Sequence, residues 1–398
     1  MTQSSRRQFT KTSLAALGAA LLQPRFGFAA ATNAPADGRF VLLFLRGGFD
    51  GLFALAPVGD PHWQELRPTL SQPVAEQGIR AGATGFSFHP ACRELAALFE
   101  SKELSFHPCA GTTDTSRSHF QAQDLFEIGN GNIGGGSGFL ARAEDALGER
   151  FGGTRGAISF TRETPLAFHG GELTAQIAPL SGSGLRLPDN AALKAIRAMH
   201  ADSAEGAAID QAIATQAEID AAVDMEGAAR DAIAATGFPA VAAHMGRILR
   251  GNPHIALAFT DLGGVDTHAN EAGTLQRMLG GLSQGVDALK TALGEREWKR
   301  TRVVIASEFG RTARENGTRG TDHGHGNLLL LAGGDINGGR MLGDFPGLAA
   351  NNLHEQRDLP ALADWRSLLG VVMAQTCGLG DDDLSRIFPG RPQQKFII

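Results

Sequence analysis

Four times along the chain an unbroken apolar run of strand length ends in a glycine-rich loop carrying carboxylate, imidazole or hydroxyl groups. Residues 40–45 read Phe-Val-Leu-Leu-Phe-Leu and lead into Arg46-Gly47-Gly48-Phe49-Asp50-Gly51. Residues 103–109 lead into a loop containing Ser116, Ser118 and His119. Residues 254–260 lead into one containing Asp266 and His268, and 302–306 into Ser307-Glu308-Phe309-Gly310-Arg311-Thr312. Runs that are apolar at every position, rather than alternating, fit strands buried on both faces, as in parallel sheets covered by helices. In such sheets ligands bind beyond the carboxyl ends of the strands. Four loops of this kind therefore predict one shared site at one sheet edge.

Between the runs lie helical signals. Residues 91–99 form a short amphipathic segment. Over 272–293, Leu275, Met278, Leu279, Leu282, Val286 and Leu289 recur at helical spacing, a stripe that reads as core. Residues 204–236 are alanine-rich and strongly helical by propensity. They break the strand–loop rhythm, so about 170–250 reads as a helical insertion or lid. The glycine-dense stretch 129–138 reads as a mobile loop, and 364–369 opens a last packed helix. The expectation is one α/β domain, a largely parallel β-sheet sandwiched between helices, with a helical insertion.

The N-terminus points to export. Ser5-Arg6-Arg7-Gln8-Phe9-Thr10-Lys11 has the form of a twin-arginine signal, followed by an apolar segment at 14–22 and small residues at Ala29-Ala30-Ala31. The segment is too short to remain as a membrane span. Residues 1–31 are therefore expected to be removed, leaving 32–398 as a periplasmic or secreted domain whose first partner is the twin-arginine export machinery. The net charge of -6 and the lack of a basic stripe argue against nucleic acid. Three cysteines, Cys92, Cys109 and Cys377, allow at most one disulfide and form no CxxC pair. Whether Cys92 and Cys109 pair is open at this level.

The chemistry concentrates in 308–327. Asp322, His323 and His325 are the densest group of ligand-type side chains, and Glu308 precedes Asp322 by fourteen residues. Asp266 and His268 stand at i and i+2, which in an extended loop places both on one side. With Asp50, these residues suffice for one or two divalent ions. Imidazole donors favour zinc or manganese; calcium and magnesium remain in range. Such a centre suits hydrolysis of a phosphate or sulfate ester of unspecified small-molecule or polymer type, or a related phospho-transfer. Ser116 or Ser118 is the candidate nucleophile, His119 a base or ligand, and Arg311 a bidentate holder of ester oxygens. Simpler roles compete: a turn or cap for Asp50, a cap for Asp266, an exposed ring for His268, a salt bridge to Glu308 or Asp322 for Arg311.

Taken in order, the segments around Asp50, Ser116-Arg117-Ser118-His119-Phe120, Asp266-Thr267-His268-Ala269-Asn270, Glu308–Thr312 and Gly320-Thr321-Asp322-His323-Gly324 resemble the DUF1501 family of exported bacterial proteins. Arg357-Asp358-Leu359-Pro360 and Phe388-Pro389-Gly390 are similar to it too. That family resembles the alkaline phosphatase-like superfamily, which implies two divalent ions at the strand ends. On this resemblance Asp50 matches the first acidic ligand, Ser116 or Ser118 the nucleophile, and Asp266 and His268 a middle pair. Glu308 matches the second acidic ligand, and His323 or His325 the late histidine. The Cys-x-Pro-x-Arg signature of formylglycine sulfatases is absent. The rival reading is a non-catalytic secreted protein that keeps the fold and binds metal or another ligand, or serves a structural role.

Overall fold

The computed structural model describes residues 38–171 except 133, 135, 154 and 162, together with 176–177, 198 and 237–396 except 395. The expected signal segment and the alanine-rich 204–236 lie outside the described residues, as do parts of the 129–138 loop and most of the expected insertion. The described strands are β1 (Arg39–Leu45), β2 (Leu55–Ala56), β3 (Ile79–Arg80), β4 (Ser87–Phe88), β5 (Leu104–Gly111), β6 (Gly156–Ser159), β7 (Gln176–Ile177), β8 (Ile255–Leu262), β9 (Thr301–Ala306), β10 (Asn327–Gly333) and β11 (Ala363–Asp364). The main sheet has the order β11-β5-β10-β9-β1-β8-β6-β7, and β2-β4-β3 form a small separate sheet.

The main sheet is mixed and mostly parallel. β1 pairs in parallel with both β8 and β9, and Phe44 is level with Asp261 on one side and Ala306 on the other. The three central strands thus end at one height. β10 runs antiparallel to both its neighbours, β5 and β9. This reversal returns the chain between β9 and β10 to the edge it left.

Every residue of β1 is buried. Strand side chains alternate between faces, and here both faces are covered. Val41, Leu43 and Leu45 join one core with helices α1 (Arg93–Glu100), α4 (Phe238–Gly251) and α5 (Glu271–Lys299). Phe40, Leu42 and Phe44 join the other with α2 (His119–Ile128), α3 (Phe139–Phe151), α6 (Trp365–Cys377) and α7 (Asp381–Ile387). Hence the sequence shows no polar alternation along this strand.

The α5 stripe is core as expected, with Leu275, Leu279, Leu282, Val286 and Leu289 all buried. The end of the expected insertion, in α4, contributes Ala242, Met245, Ile248 and Leu249 to that same core. α6 begins after Asp364, whose side chain accepts from the Arg366 amide at 2.8 Å and caps the helix. The three cysteines are free and buried, so Cys92 and Cys109 do not pair. No helix among the described residues is long and apolar enough to cross a membrane.

Candidate metal centre

The loops that follow β1, β5 and β8, and the one that joins β9 to β10, meet at one edge of the main sheet. Tight packing there needs glycine. Gly48 has φ +61°, and a Cβ on it would come within 2.5 Å of the Phe309 ring. Phe309 in turn lies against the rings of His119 and His323, at 4.8 and 5.2 Å between centroids.

Four side chains from three loops converge. His119 Nε2 is 2.9 Å from His323 Nε2, which is 3.0 Å from His268 Nε2. The Asp266 carboxylate touches all three rings: Oδ2 is 3.3 Å from His119, and Oδ1 is 2.8 Å from His268 and 3.3 Å from His323. His119, Asp266 and His323 each present one donor atom to a common point, all within 4.8 Å of one another.

Outer contacts fix which ring nitrogen faces inward. His119 Nδ1 lies 2.8 Å from Glu308 Oε1, and His323 Nδ1 lies 2.8 Å from the Arg117 carbonyl. A carbonyl or a carboxylate only accepts, so both Nδ1 atoms donate and each neutral ring turns an Nε2 lone pair inward. Two lone pairs 2.9 Å apart repel unless a proton or another cation lies between them. In a tetrahedral site with donors about 2.0–2.1 Å from the ion, neighbouring donors lie roughly 3.3–3.4 Å apart. The observed spacings of 2.8–3.3 Å fit a divalent cation after small relaxation.

The charges agree with this geometry. Burial pushes the Asp266 carboxyl upward, but Arg311, His119 and His268 outweigh it and bring the group down to about 2. The Glu308 hydrogen bond, partly opposed by burial, raises His119 above its ordinary value. Burial lowers His323, only partly offset by its bond to the Arg117 carbonyl. Glu308 itself is lowered despite its burial, because His119, Gln123 and Ser307 donate to it.

The structure moves several expected residues to other work. Asp50 is buried and bonded to Arg67 at 2.6 Å, so that oxygen is already committed. The Arg311 side chain is fully buried: it donates to the carbonyls of Gly47, Gly48 and Thr321 and holds Asp266 at 2.7 Å. Glu308 reaches the cluster through His119 rather than directly. Asp322 is exposed, 3.7 Å from His268 Nδ1, the nitrogen on the other side of the ring from the cluster. His325 packs against His354 with the rings tilted by 33° and 4.6 Å between centroids, so of the two candidate late histidines His323 is the one in the cluster. The Ser116 hydroxyl donates to Asp114 at 2.9 Å, and Ser118 precedes α2 without its side chain capping the helix.

His119, read from sequence as a base or a ligand, stands in the cluster itself. Gln123 was not foreseen; it lies one turn along α2 and donates to Glu308 at 2.9 Å. Its i+4 spacing from His119 is the signal that would have found it. Arg67 and Glu271 carry no such local signal.

Fold and site thus define an α/β protein with three imidazoles and a carboxylate gathered at the strand ends of a mostly parallel sheet. The chain belongs to the family described as "Protein of unknown function (DUF1501)", whose model matches residues 111–388. No curated protein matches it. Among solved structures it is similar to the C-terminal periplasmic domain of EcEptC from Escherichia coli in complex with zinc, at 11% identity over 76% of this chain and 74% of that one, with a TM-score of 0.35. It is also similar to Ps i-CgsB in complex with k-i-k-neocarrahexaose, at 12% identity over 87% and 73%, with a TM-score of 0.35.

Proposed function

We propose that this protein is an exported metal-dependent hydrolase that acts on a phosphate or sulfate ester, or transfers the phospho group, with a divalent ion held by His119, Asp266, His268 and His323. The observation that carries the reading is the convergence of Nε2 atoms and a carboxylate with no proton arrangement that satisfies all of them when the rings are neutral. The imidazole-rich set favours zinc or manganese. Such an ion polarises an ester oxygen and lowers the pKa of a coordinated water or hydroxyl. The chain's own residues hold the donors in place. Glu308 and the Arg117 carbonyl set the ring tautomers, and Arg311 keeps Asp266 ionised and oriented. The Ser116 hydroxyl is engaged with Asp114, so water is the attacking group in this reading. Export follows from the twin-arginine-like segment at 5–11.

The same serine geometry favours one rival, a secreted protein that binds metal without turnover. The two separate by experiment. Mature protein is purified from the periplasm without chelator, its metal is measured, and aryl phosphates and sulfates are offered. Near-stoichiometric metal, lost in Asp266→Ala and His323→Ala, with metal-dependent turnover is the expected result. Metal without turnover across a broad ester panel supports the binder. No metal even after reconstitution with zinc, manganese, calcium or magnesium overturns both.

A further inference from the structure

Asp50 belongs to the loop after β1 at the site edge, yet the cation it meets is one the chain supplies. Arg67 Nη1 lies 2.6 Å from Asp50 Oδ2, and both side chains are 1% exposed. The remaining guanidinium donors are also used: Nε reaches the Ala313 carbonyl at 2.9 Å and Nη2 the Thr312 carbonyl at 2.8 Å. Beside this pair is Glu271, with no exposed surface. Its Oε2 accepts the hydroxyls of Thr267, at 3.0 Å, and Thr321, at 2.9 Å. Its Oε1 finds no N–H or O–H donor among the described residues. Burial first, then the Asp50 charge, pushes the Glu271 carboxyl up to about 8.

This arrangement does not fit a second metal ion. An ion at Asp50 would have to share the carboxylate with Arg67 and would sit directly against its buried guanidinium. A buried cation that already has three hydrogen-bonding contacts is expensive to displace.

We propose that the site takes one divalent ion rather than the two its superfamily resemblance implies, with the Arg67 guanidinium as the fixed positive charge beside Asp50, and that Glu271 positions the ligands of that one ion. The inference rests on the reading that His119, Asp266, His268 and His323 hold an ion. Thr267 lies between Asp266 and His268, and Thr321 lies two residues before His323. One carboxylate oxygen therefore ties together the two loops that carry three of the four donors. Arg67 fastens Thr312 and Ala313, directly after the Arg311 that grips Asp266.

The test counts ions. The chelator-stripped full chain is titrated with Co2+, followed by its d–d absorption, and reconstituted with Zn2+ for elemental analysis. One equivalent is expected in the wild type and in Asp50→Asn, and none in Asp266→Ala. Glu271→Ala should keep one equivalent, bound roughly 10- to 100-fold more weakly, with a shifted Co2+ spectrum. Because Asp50→Asn leaves Arg67 buried without its partner, the double variant Asp50→Asn/Arg67→Met, which removes both charges, is measured beside it with the same expectation. Two equivalents in the wild type, falling to one in either variant, overturn the single-ion assignment and leave the metal-site reading standing. Zero equivalents in the wild type overturn both. Unchanged Co2+ affinity and spectrum in Glu271→Ala overturn the positioning role.

Discussion

At the scale of single residues, the state of His119 decides the behaviour of the cluster. Its Nδ1 proton is held by Glu308, which makes the ring more basic and leaves Nε2 for a proton or an ion. The two compete. Because Glu308 raises the His119 pKa, protons compete over a wider pH range than for an ordinary histidine, and metal affinity should fall as pH drops through that raised value. Calorimetry at neutral pH, in buffers of different ionisation enthalpy, should show proton release on Zn2+ binding; an absence of release would argue against Nε2 coordination. Glu308→Gln should weaken Co2+ binding about 10- to 100-fold, because the carboxylate that orients the ring is gone. The metal-free protein follows linkage with two signs. His119, raised in the fold, contributes stability that is fully present below about pH 6.5 and is lost as pH rises through its folded pKa. Asp266, lowered to about 2, contributes stability present above its unfolded value and lost as pH falls towards 2. Thermal melts of metal-free Asp266→Asn should lack that acid-side decline.

At the scale of elements, β1 is a strand whose two faces are both core. Leu42 belongs to the core that includes α6 and Leu43 to the core that includes α4 and α5, so Leu42→Ala and Leu43→Ala should each destabilise the fold by about 2–5 kcal/mol. A half-exposed strand would show that loss at only one of the two positions. Urea denaturation of the pair distinguishes the cases. The β9–β10 connection is a second element with a specific demand. Gly320 packs onto the His268 backbone so closely that a Cβ would clash with that carbonyl. Gly320→Ala should therefore displace the His268 loop and weaken Co2+ binding more than it lowers the melting temperature. The apolar runs and the α5 stripe were legible in the sequence because burial on two faces, or on one helical stripe, leaves a local pattern. The reversal of β10 was not. A short apolar run carries no direction, and only its pairing with β5 and β9 reveals that the loop carrying Glu308 and His323 leaves β9 and enters β10 at the same edge.

At the scale of the whole molecule, the sequence by itself determined the class of fold. It also determined that glycine-rich polar loops would gather at one sheet edge, and it supplied the segment at 5–11 from which export is inferred. Lysines at Arg6 and Arg7 should leave unprocessed precursor in the cytoplasm, as read by cell fractionation; processing and export at the wild-type level would contradict the twin-arginine route. Only the tertiary structure decided which side chains meet. Spacing alone admitted Asp50 as a ligand beside Asp266, and Arg311 as a holder of substrate oxygens. Packing gave Asp50 to Arg67 and buried Arg311 behind Asp266. It brought His119 to Glu308 across 189 positions and to His323 across 204. The reason is physical. Hydrophobic periodicity and turn residues act between near neighbours and leave a local record, whereas an ion pair or a cluster of donor atoms forms between loops brought together only when the sheet assembles.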